Sequence, residues 1–270
     1  MHRHRRLRAH RRILSVLLVL SLCGGSARGV EPDWIFLRFE VFGGPGLHFL
    51  TLQVRVQQSP ERYSLTVEAE TLGIAELFVD LRSKAEARGS ISDGVLHPEA
   101  MRSETHRRGA DFHTRIDYGA NGAVVSEATP PLTGVVTPVS PAQVRGTVDH
   151  LTAYLVLARH LAARGSCTLG LAVFDGRRRY DLSFGDLPAE ALPGFPDRIR
   201  VCGMRRRRIA GFPIEQGGDQ PSDEGKLWFA RLVPGGVMIP VRMEFGSEFG
   251  RFVATLAELR SRWVERRFTE

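Results

Sequence analysis

The chain has 270 residues, 43% of them hydrophobic, with 37 lysines and arginines against 30 aspartates and glutamates. This composition excludes a wholly disordered chain, and the presence of only one long apolar run excludes a protein with several membrane-spanning helices. The net charge of +7 does not indicate nucleic-acid binding, because residues 1–29 contain seven arginines and no acid. From residue 30 onward the basic and acidic residues balance.

The first element in the chain is a predicted signal peptide, residues 1–29. A basic stretch precedes the apolar run 13–22, and Ala27 and Gly29 place small side chains at the positions that a signal peptidase reads. We expect cleavage before Val30, export to the periplasm and no transmembrane span in the mature chain. A signal retained as a membrane anchor is the alternative.

The three cysteines have different expected fates. Cys23 would be acylated in a lipoprotein, but Leu22 stands where such proteins normally have a small residue, so we do not expect lipidation. Cleavage leaves Cys167 and Cys202, an even pair that predicts a disulfide in an oxidising compartment. Closing a loop of about 35 residues would stabilise the fold by roughly 3–4 kcal/mol in the chain-entropy model.

Alternating apolar and polar residues predict antiparallel strands through most of the mature chain. A helical turn is expected at residues 73–78, a hairpin turn at Asn121-Gly122, and an extended proline-containing connection at 129–141. Residues 216–225 are predicted to form a polar loop. The predicted strands cover residues 34–42, 47–56, 63–69, 79–91, 96–107, 111–118, 123–128, 168–174, 178–184, 199–204, 226–232, 241–245 and 252–256.

One substantial helix is predicted over 148–163, where Leu151, Leu155 and Leu161 share an apolar face. Asp149 near its start favours the helix dipole. Residues 258–270 are interpreted as a charged C-terminal tail that forms a helix. The sequence therefore predicts a mainly β protein with a single domain over residues 30–257. Its fold is either an antiparallel β-barrel or a strongly curled, spiral-like sheet, with one main α-helix packed against it.

Two arginine runs, residues 177–179 and 205–208, are the candidate binding features. If the disulfide holds their strands close, a joint patch would suit a phosphate or an anionic lipid head group, because the guanidinium fork matches such oxyanions. Alternate arginines on a strand face opposite sides, so at most half of each run shares a surface. Pairing with nearby aspartates on a solvated face is the alternative. The candidate ligand-binding residues are Asp175, Arg177, Arg179, Tyr180 and Arg206.

Motifs for catalysis are absent from the sequence. It contains no Gly-x-Ser-x-Gly, no phosphate-binding Walker loop, no Cys-x-x-Cys and no histidine pair at helical i, i+4 spacing. We therefore predict no catalytic residue, metal ligand or cofactor. A hydrolase would need Asp149 or His150 beside Asp175 or Asp181, but the first two are adjacent on a helix and point in different directions.

Residues 174–182, Phe-Asp-Gly-Arg-Arg-Arg-Tyr-Asp-Leu, resemble the bacterial family called domain of unknown function 3108, found largely in envelope proteins of proteobacteria. Segments 73–78, 146–153, 208–212 and 239–242 echo the same family pattern in the expected order. The resemblance spans residues 34–256 and implies an exported protein with one β-rich domain. It implies no established reaction and no catalytic residues.

The leading functional hypothesis is a non-enzymatic periplasmic protein that supports envelope integrity. It would bind an apolar or amphipathic, lipid-like ligand, or a protein partner from the envelope, and no nucleic acid. A periplasmic hydrolase acting on a cell-wall or lipid substrate is the alternative, and pairing of an exposed sheet edge with another chain is a third possibility. The residues expected on the inner, ligand-facing side of the sheet are Phe36, Phe39, Leu50, Val54 and Leu65.

Overall fold

The computed structural model describes residues 33–43, 46–77, 79–119, 124–131, 136–195, 199–213, 223–233, 235–247 and 250–268. The predicted signal peptide, Cys23, the Asn121-Gly122 turn and most of the polar loop at 216–225 lie outside the described residues. Residues 31–270 form one compact unit. Within the described residues, no helix is long and apolar enough to cross a membrane.

The described residues form one antiparallel sheet of 14 strands, as the alternating pattern predicts. In chain order the strands are β1 Asp33–Gly43, β2 Leu47–Gln58, β3 Arg62–Thr71, β4 Leu81–Ser92, β5 Val95–Arg107, β6 Ala110–Tyr118, β7 Val124–Thr129, β8 Leu169–Phe174, β9 Arg179–Leu187, β10 Arg200–Ala210, β11 Glu224–Ala230, β12 Ile239–Ser247, β13 Gly250–Ser261 and β14 Glu265–Arg267.

The strand order places β1 in the middle of the sheet. It runs β7-β6-β5-β4-β3-β2-β1-β13-β12-β11-β10-β9-β8, with β14 added beside β13. The ends of this order, β7 and β8, do not pair with each other among the described strands. The sheet is therefore not closed into a barrel.

Two α-helices and one 3₁₀ turn, Gly73–Leu77, accompany the sheet. The main helix, α2, covers His150–Arg164 and confirms the predicted helix. Its first turn is capped by Asp149, whose Oδ1 accepts a hydrogen bond from the Thr152 amide at 2.9 Å. Its end is set by Gly165, which has a φ of 69° and donates its amide to the Leu161 carbonyl. The short α1, Pro141–Val144, was not predicted.

The described part of the C-terminal tail contains strand and no helix. Residues 258–261 continue β13, and Glu265–Arg267 forms β14, so the predicted tail helix is wrong. Leu259 pairs with Leu37 of β1 and is fully buried. A tight turn in which the Ser261 amide donates to the Val264 carbonyl reverses the chain into β14. The charged residues that were interpreted as a helical tail belong instead to the strand pair of β13 and β14.

Helix α2 lies between two parts of the sheet and fills the space between them. Leu151 and Leu155 belong to a core cluster with side chains from β2 to β6. Leu157 and Leu161 belong to a second cluster, with side chains from β8 to β11. A third cluster is built mainly from β1 and from β10 to β13, and its centre includes Phe39.

Of the five residues expected on the inner face, four lie there and Phe36 does not. Phe39 and Leu65 are buried in the core clusters, and Leu50 and Val54 pack against them. Phe36 lies on the opposite face of β1, because residues three apart on a continuous strand point in opposite directions. Its ring is covered by the guanidinium groups of two arginines, Arg55 at 5.5 Å and Arg260 at 4.4 Å from the ring centroid.

The predicted disulfide is present. Cys167, just after α2, is joined to Cys202 near the start of β10, with 5.6 Å between the two Cα atoms. Both residues are fully buried, and both belong to the cluster that contains Leu157. The bridge therefore fastens the C-terminal end of α2 to the sheet.

Candidate functional site

The first arginine run begins in a tight turn between β8 and β9. Oδ1 of Asp175 accepts the backbone amides of Arg177 at 2.9 Å and Arg178 at 2.7 Å. Gly176, which lies between Asp175 and Arg177, has a φ of 92°, a conformation that glycine adopts readily. Asp175, a predicted ligand-binding residue, therefore has a structural role in shaping this turn.

Arg177 makes hydrogen bonds to the end of β7, the strand at the opposite end of the strand order from β8. Its Nη1 donates to the carbonyl of Pro130 at 2.5 Å and its Nη2 to the carbonyl of Thr129 at 3.0 Å, both at the end of β7. Burial lowers the pKa of the Arg177 guanidinium from its ordinary value. Arg177 thus joins the β8–β9 turn to the strand at the other end of the sheet.

Gly211 completes the contact between the turn and the chain that follows β10. The Gly211 amide donates to the Thr137 carbonyl at 2.7 Å, and the Thr137 amide donates to the Phe212 carbonyl at 3.2 Å. A Cβ atom at position 211 would lie 2.2 Å from the carbonyl oxygen of Arg177. Only glycine permits this approach without displacement of the backbone. We call this meeting of residues 129–131, 136–137, 175–178 and 211–212 the seam.

The segment before α2 attaches to the same region. The Val148 amide donates to the Ala172 carbonyl, and the Phe174 amide donates to the Val148 carbonyl, both at 3.0 Å. Val148 therefore forms a parallel bridge to β8 at Val173. Three segments noted for their family resemblance, 146–153, 174–182 and 208–212, come together at or beside the seam.

The second arginine run divides between the two faces of β10, as alternation predicts. Arg206 and Arg208 pair in register with Leu182 and Tyr180 of β9, whose side chains are buried. Arg205 and Arg207 point to the other face. Arg207 pairs there with Asp181.

Asp223 holds the two inward-facing arginines. Its Oδ1 accepts from Nε of Arg206 at 3.0 Å, and its Oδ2 accepts from Nε of Arg208 at 2.7 Å. Burial alone would raise the pKa of Asp223, but the hydrogen bonds from the two guanidinium groups hold it below its ordinary value. Asp223 is therefore ionised at neutral pH, and one carboxylate serves two cations.

An aromatic ring lies among three guanidinium groups at this point. The centroid of Phe212 is 5.4 Å from the guanidinium carbon of Arg208, 5.5 Å from that of Arg178 and 5.9 Å from that of Arg206. Tyr180 meets the same ring edge-on at 6.4 Å. We call Arg178, Arg206, Arg208 and Phe212 the arginine cluster. Burial raises the pKa of Tyr180, so its phenol stays protonated and adds no negative charge.

The five predicted ligand-binding residues do not form one site. Tyr180 and Arg206 lie together, with Arg206 5.8 Å from the tyrosine ring. Asp175 and Arg177 hold the turn and the seam. Arg179 faces the other side of β9, where it pairs with Asp181 at 2.7 Å and donates to the Gln143 carbonyl at 3.0 Å.

Sequence reasoning missed Arg178, Phe212 and Asp223 as parts of this arrangement. The signal for Phe212 was present, because it closes the segment Arg208-Ile-Ala-Gly-Phe212, noted only for its family resemblance. Asp223 gave none, because it lies 15 residues after Arg208 in sequence and reaches it only through the pairing of β10 with β11.

The acidic residues that a hydrolase would need are engaged elsewhere. Asp149 is fully buried, and its Oδ2 accepts a hydrogen bond from Oγ1 of Thr152 at 2.6 Å. Asp175 caps its own turn, and Asp181 pairs with Arg179. In the described part of the chain, no group of three or more His, Cys, Asp and Glu side chains could hold a metal ion.

A groove of about 370 Å³ runs beside the seam, between β7 and the chain that leads into α1. Alternate residues of β7 line one wall, and Phe174 and Arg177 lie across from them. Its lining comprises Val124, Ser126, Ala128, Pro131, Val136, Thr137, Pro138, Val139, Ser140, Pro141, Val144, Phe174, Gly176, Arg177 and Gly211.

Comparison with known proteins gives a family and a similar solved structure. A family model described as "Protein of unknown function (DUF3108)" matches residues 38–257. A crystal structure of a β-barrel-like protein of domain of unknown function DUF1849 from Brucella abortus is similar, with 12% sequence identity and a TM-score of 0.45. That alignment covers 86% of this chain and 98% of the other. No curated protein matches the chain.

Proposed function

Because the chain belongs to the DUF3108 family of proteins of unknown function, we propose its function from its own geometry. We propose a non-enzymatic protein of the periplasmic envelope that acts by binding a protein partner at its surface. The signal-peptide pattern of residues 1–29 supports export. The observation that carries the proposal is the position of α2 in the space between the two parts of the sheet.

A carrier of acyl chains needs an apolar cavity, and the helix occupies the place where an antiparallel curled sheet would provide one. Side chains of α2 such as Leu157 and Leu161 are almost completely buried against the sheet. Opening that space for a ligand would expose two core clusters to water, at about 25 cal/mol for each Å² of apolar surface. Binding at the outside carries no such cost.

The two acids Asp149 and Asp175 already accept hydrogen bonds within the protein, which also supports a binding function over hydrolysis. A general acid or base must lie within hydrogen-bond reach of a substrate. Asp149 is sealed in the core, and Asp175 is bonded to two backbone amides.

Native mass spectrometry of the protein extracted gently from the periplasmic fraction of its host tests the proposal. We expect a complex whose excess mass equals that of a second polypeptide, identified in the denatured sample. A clean monomer after mild crosslinking of the cells would contradict partner binding. A small-molecule excess mass that disappears on denaturation would favour a ligand carrier instead.

The arginine cluster favours a second candidate function, the binding of a phosphate-bearing amphipathic ligand at the surface. Asp223 already binds two of the three guanidinium groups around the Phe212 ring, so the exposed Arg178 is the one that would meet a phosphate beside an apolar group. Vesicles of phosphatidylglycerol and of phosphatidylcholine provide the test. Arg178→Ala should lower binding to the anionic vesicles, and Arg88→Ala, at an exposed position of β4, should not. Equal binding to both vesicles would contradict the candidate.

A further inference from the structure

The free edge of β7 is the surface that the structure offers to a partner. We infer that an extended segment of another envelope protein pairs with this edge by strand addition and places alternate side chains in the groove beside the seam. The inference rests on the proposed partner-binding function and identifies the kind of partner: a short β segment that is uncharged or acidic.

The backbone of β7 is paired on one side. Residues Val124–Thr129 pair with β6 in a continuous antiparallel register from Tyr118 to His113. On the other side, the hydrogen bonds found in the described part of the chain are those that the Arg177 guanidinium donates to the carbonyls of Thr129 and Pro130. Of the preceding five residues, those whose amides and carbonyls point away from β6, about every second one, are left available on that side, and unpaired strand edges of this kind bind other chains.

Strand β8, at the opposite end of the strand order, has part of its edge covered by another segment of the chain. Val148 makes two backbone hydrogen bonds to β8 and covers part of its edge. Natural edges are also blunted by lysine or proline, and the sequence of β7, Val-Val-Ser-Glu-Ala-Thr, contains neither. Val125 on its outward face is 67% exposed. Among the described residues, no backbone hydrogen bond, lysine or proline blocks strand addition along residues 124–128.

The groove explains which side chains such a segment should carry. Val124, Ser126 and Ala128 line one wall, and the other is formed by the chain from Val136 to Val144 and by Phe174. A strand laid beside β7 would direct every second side chain into this space, because the side-chain period of a strand is two. About 370 Å³ accommodates small or medium apolar side chains.

Charge and length further restrict the segment. Arg177 is the charged residue among those that line the groove, so basic side chains are disfavoured and acidic ones are tolerated near that end. Its bonds to Thr129 and Pro130 also mark where the free edge stops. The paired segment is therefore about five or six residues long, the length of β7.

Peptides from a random nine-residue phage library, selected on the purified full chain and then synthesised, test this inference. We expect apolar residues at every second position. Ser126→Lys, which puts a charge into the groove, should weaken peptide binding at least tenfold. Val125→Thr, on the other face of the same strand, adds no charge to the edge and should change it less than twofold. Hydrogen exchange at residues 124–128 should slow when peptide binds. Both variants are first checked for an unchanged melting temperature.

Two outcomes would overturn the inference. The first is that no selected peptide depends on position 126, or that protection appears away from β7. The second is a concentration-dependent dimer that Ser126→Lys dissociates, which would make a second copy the occupant. If native mass spectrometry shows a partner that Ser126→Lys still binds, the proposed function stands and the β7 site fails. If neither partner nor peptide binds, both fail.

Discussion

The phenolic oxygen of Tyr63 on β3 lies 3.0 Å from Oγ1 of Thr152 in the first turn of α2. Thr152 in turn donates its hydroxyl to the carboxylate of Asp149, so these three side chains form a continuous buried chain from sheet to helix. A Cβ atom at position 89 would lie 2.7 Å from the tyrosine oxygen, and Gly89 therefore leaves the room that Tyr63 needs. The position of α2 depends on this chain as well as on apolar packing.

We predict that Thr152→Val destabilises the protein by about 2–3 kcal/mol, because it removes the hydroxyl from a buried carboxylate and from the tyrosine together. Tyr63→Phe, which leaves the bond between Thr152 and Asp149 intact, should cost about 1 kcal/mol. Urea unfolding of both variants and of the double variant measures the difference. Equal losses for the two single variants would argue against a connected chain.

Gly211→Ala should be strongly destabilising, by about 3 kcal/mol or more, because the new methyl group would meet the Arg177 carbonyl at 2.2 Å and the residue has a φ of +83°. Gly46→Ala is the matched control, because Gly46 has a φ of +92° but no atom within 4 Å of the place that a methyl group would occupy. It should cost only the conformational strain, about 1–2 kcal/mol. Thermal unfolding of the two variants separates the effect of backbone strain from that of the steric clash. Similar losses of stability in the two variants would show that the backbone of the seam moves to accommodate the methyl group.

The Asp223 carboxylate should make stability depend on pH in the acid range. Its pKa is lowered in the folded protein, so its contribution is complete above its ordinary pKa of 3.8 and is lost as the pH falls through the lower folded value. Asp223→Asn should lose about 1–3 kcal/mol at pH 7 and show a flatter decline below about pH 4. Glu61→Gln, in the exposed turn after β2, is the control. A parallel decline in Asp223→Asn and wild type would contradict this role.

Replacing both Cys167 and Cys202 with alanine should lower the free energy of unfolding by about 3–4 kcal/mol, the loop-closure term for 35 residues of separation. The mass of the intact wild type should be two hydrogens below that of the reduced chain. Denaturant curves of wild type with and without reductant should reproduce the effect of the double substitution. A wild type whose midpoint does not respond to reductant would contradict a stabilising bridge.

Period-two alternation was sufficient to place the strands because one face of most of them packs on a core. It failed at the tail, which was predicted to form a charged helix although Leu259 is buried in β13 beside β1. It also placed Phe36 on the wrong face, because an aromatic side chain covered by arginines is buried on either side of a sheet.

The candidate site was less accessible from sequence, because its contacts join distant segments. The strand rule correctly separated Arg206 from Arg207. No local pattern relates Arg177 to Pro130, which is 47 residues earlier, or indicates that Asp175 binds its own turn and not a ligand. Such pairings are determined by the register of the whole sheet.

The central position of β1 has a consequence for how the protein is made. Strand β1 is paired on one side with β2, the next strand in the chain, and on the other with β13, so that Ile35 lies opposite Ser261. The middle of the sheet cannot be completed until β13, more than 200 residues later in the chain, has been synthesised. Until then β1 presents an open, apolar edge, and folding that depends on such distant contacts is slow. A chaperone that shields the N-terminal half during this interval should therefore raise the yield of folded protein.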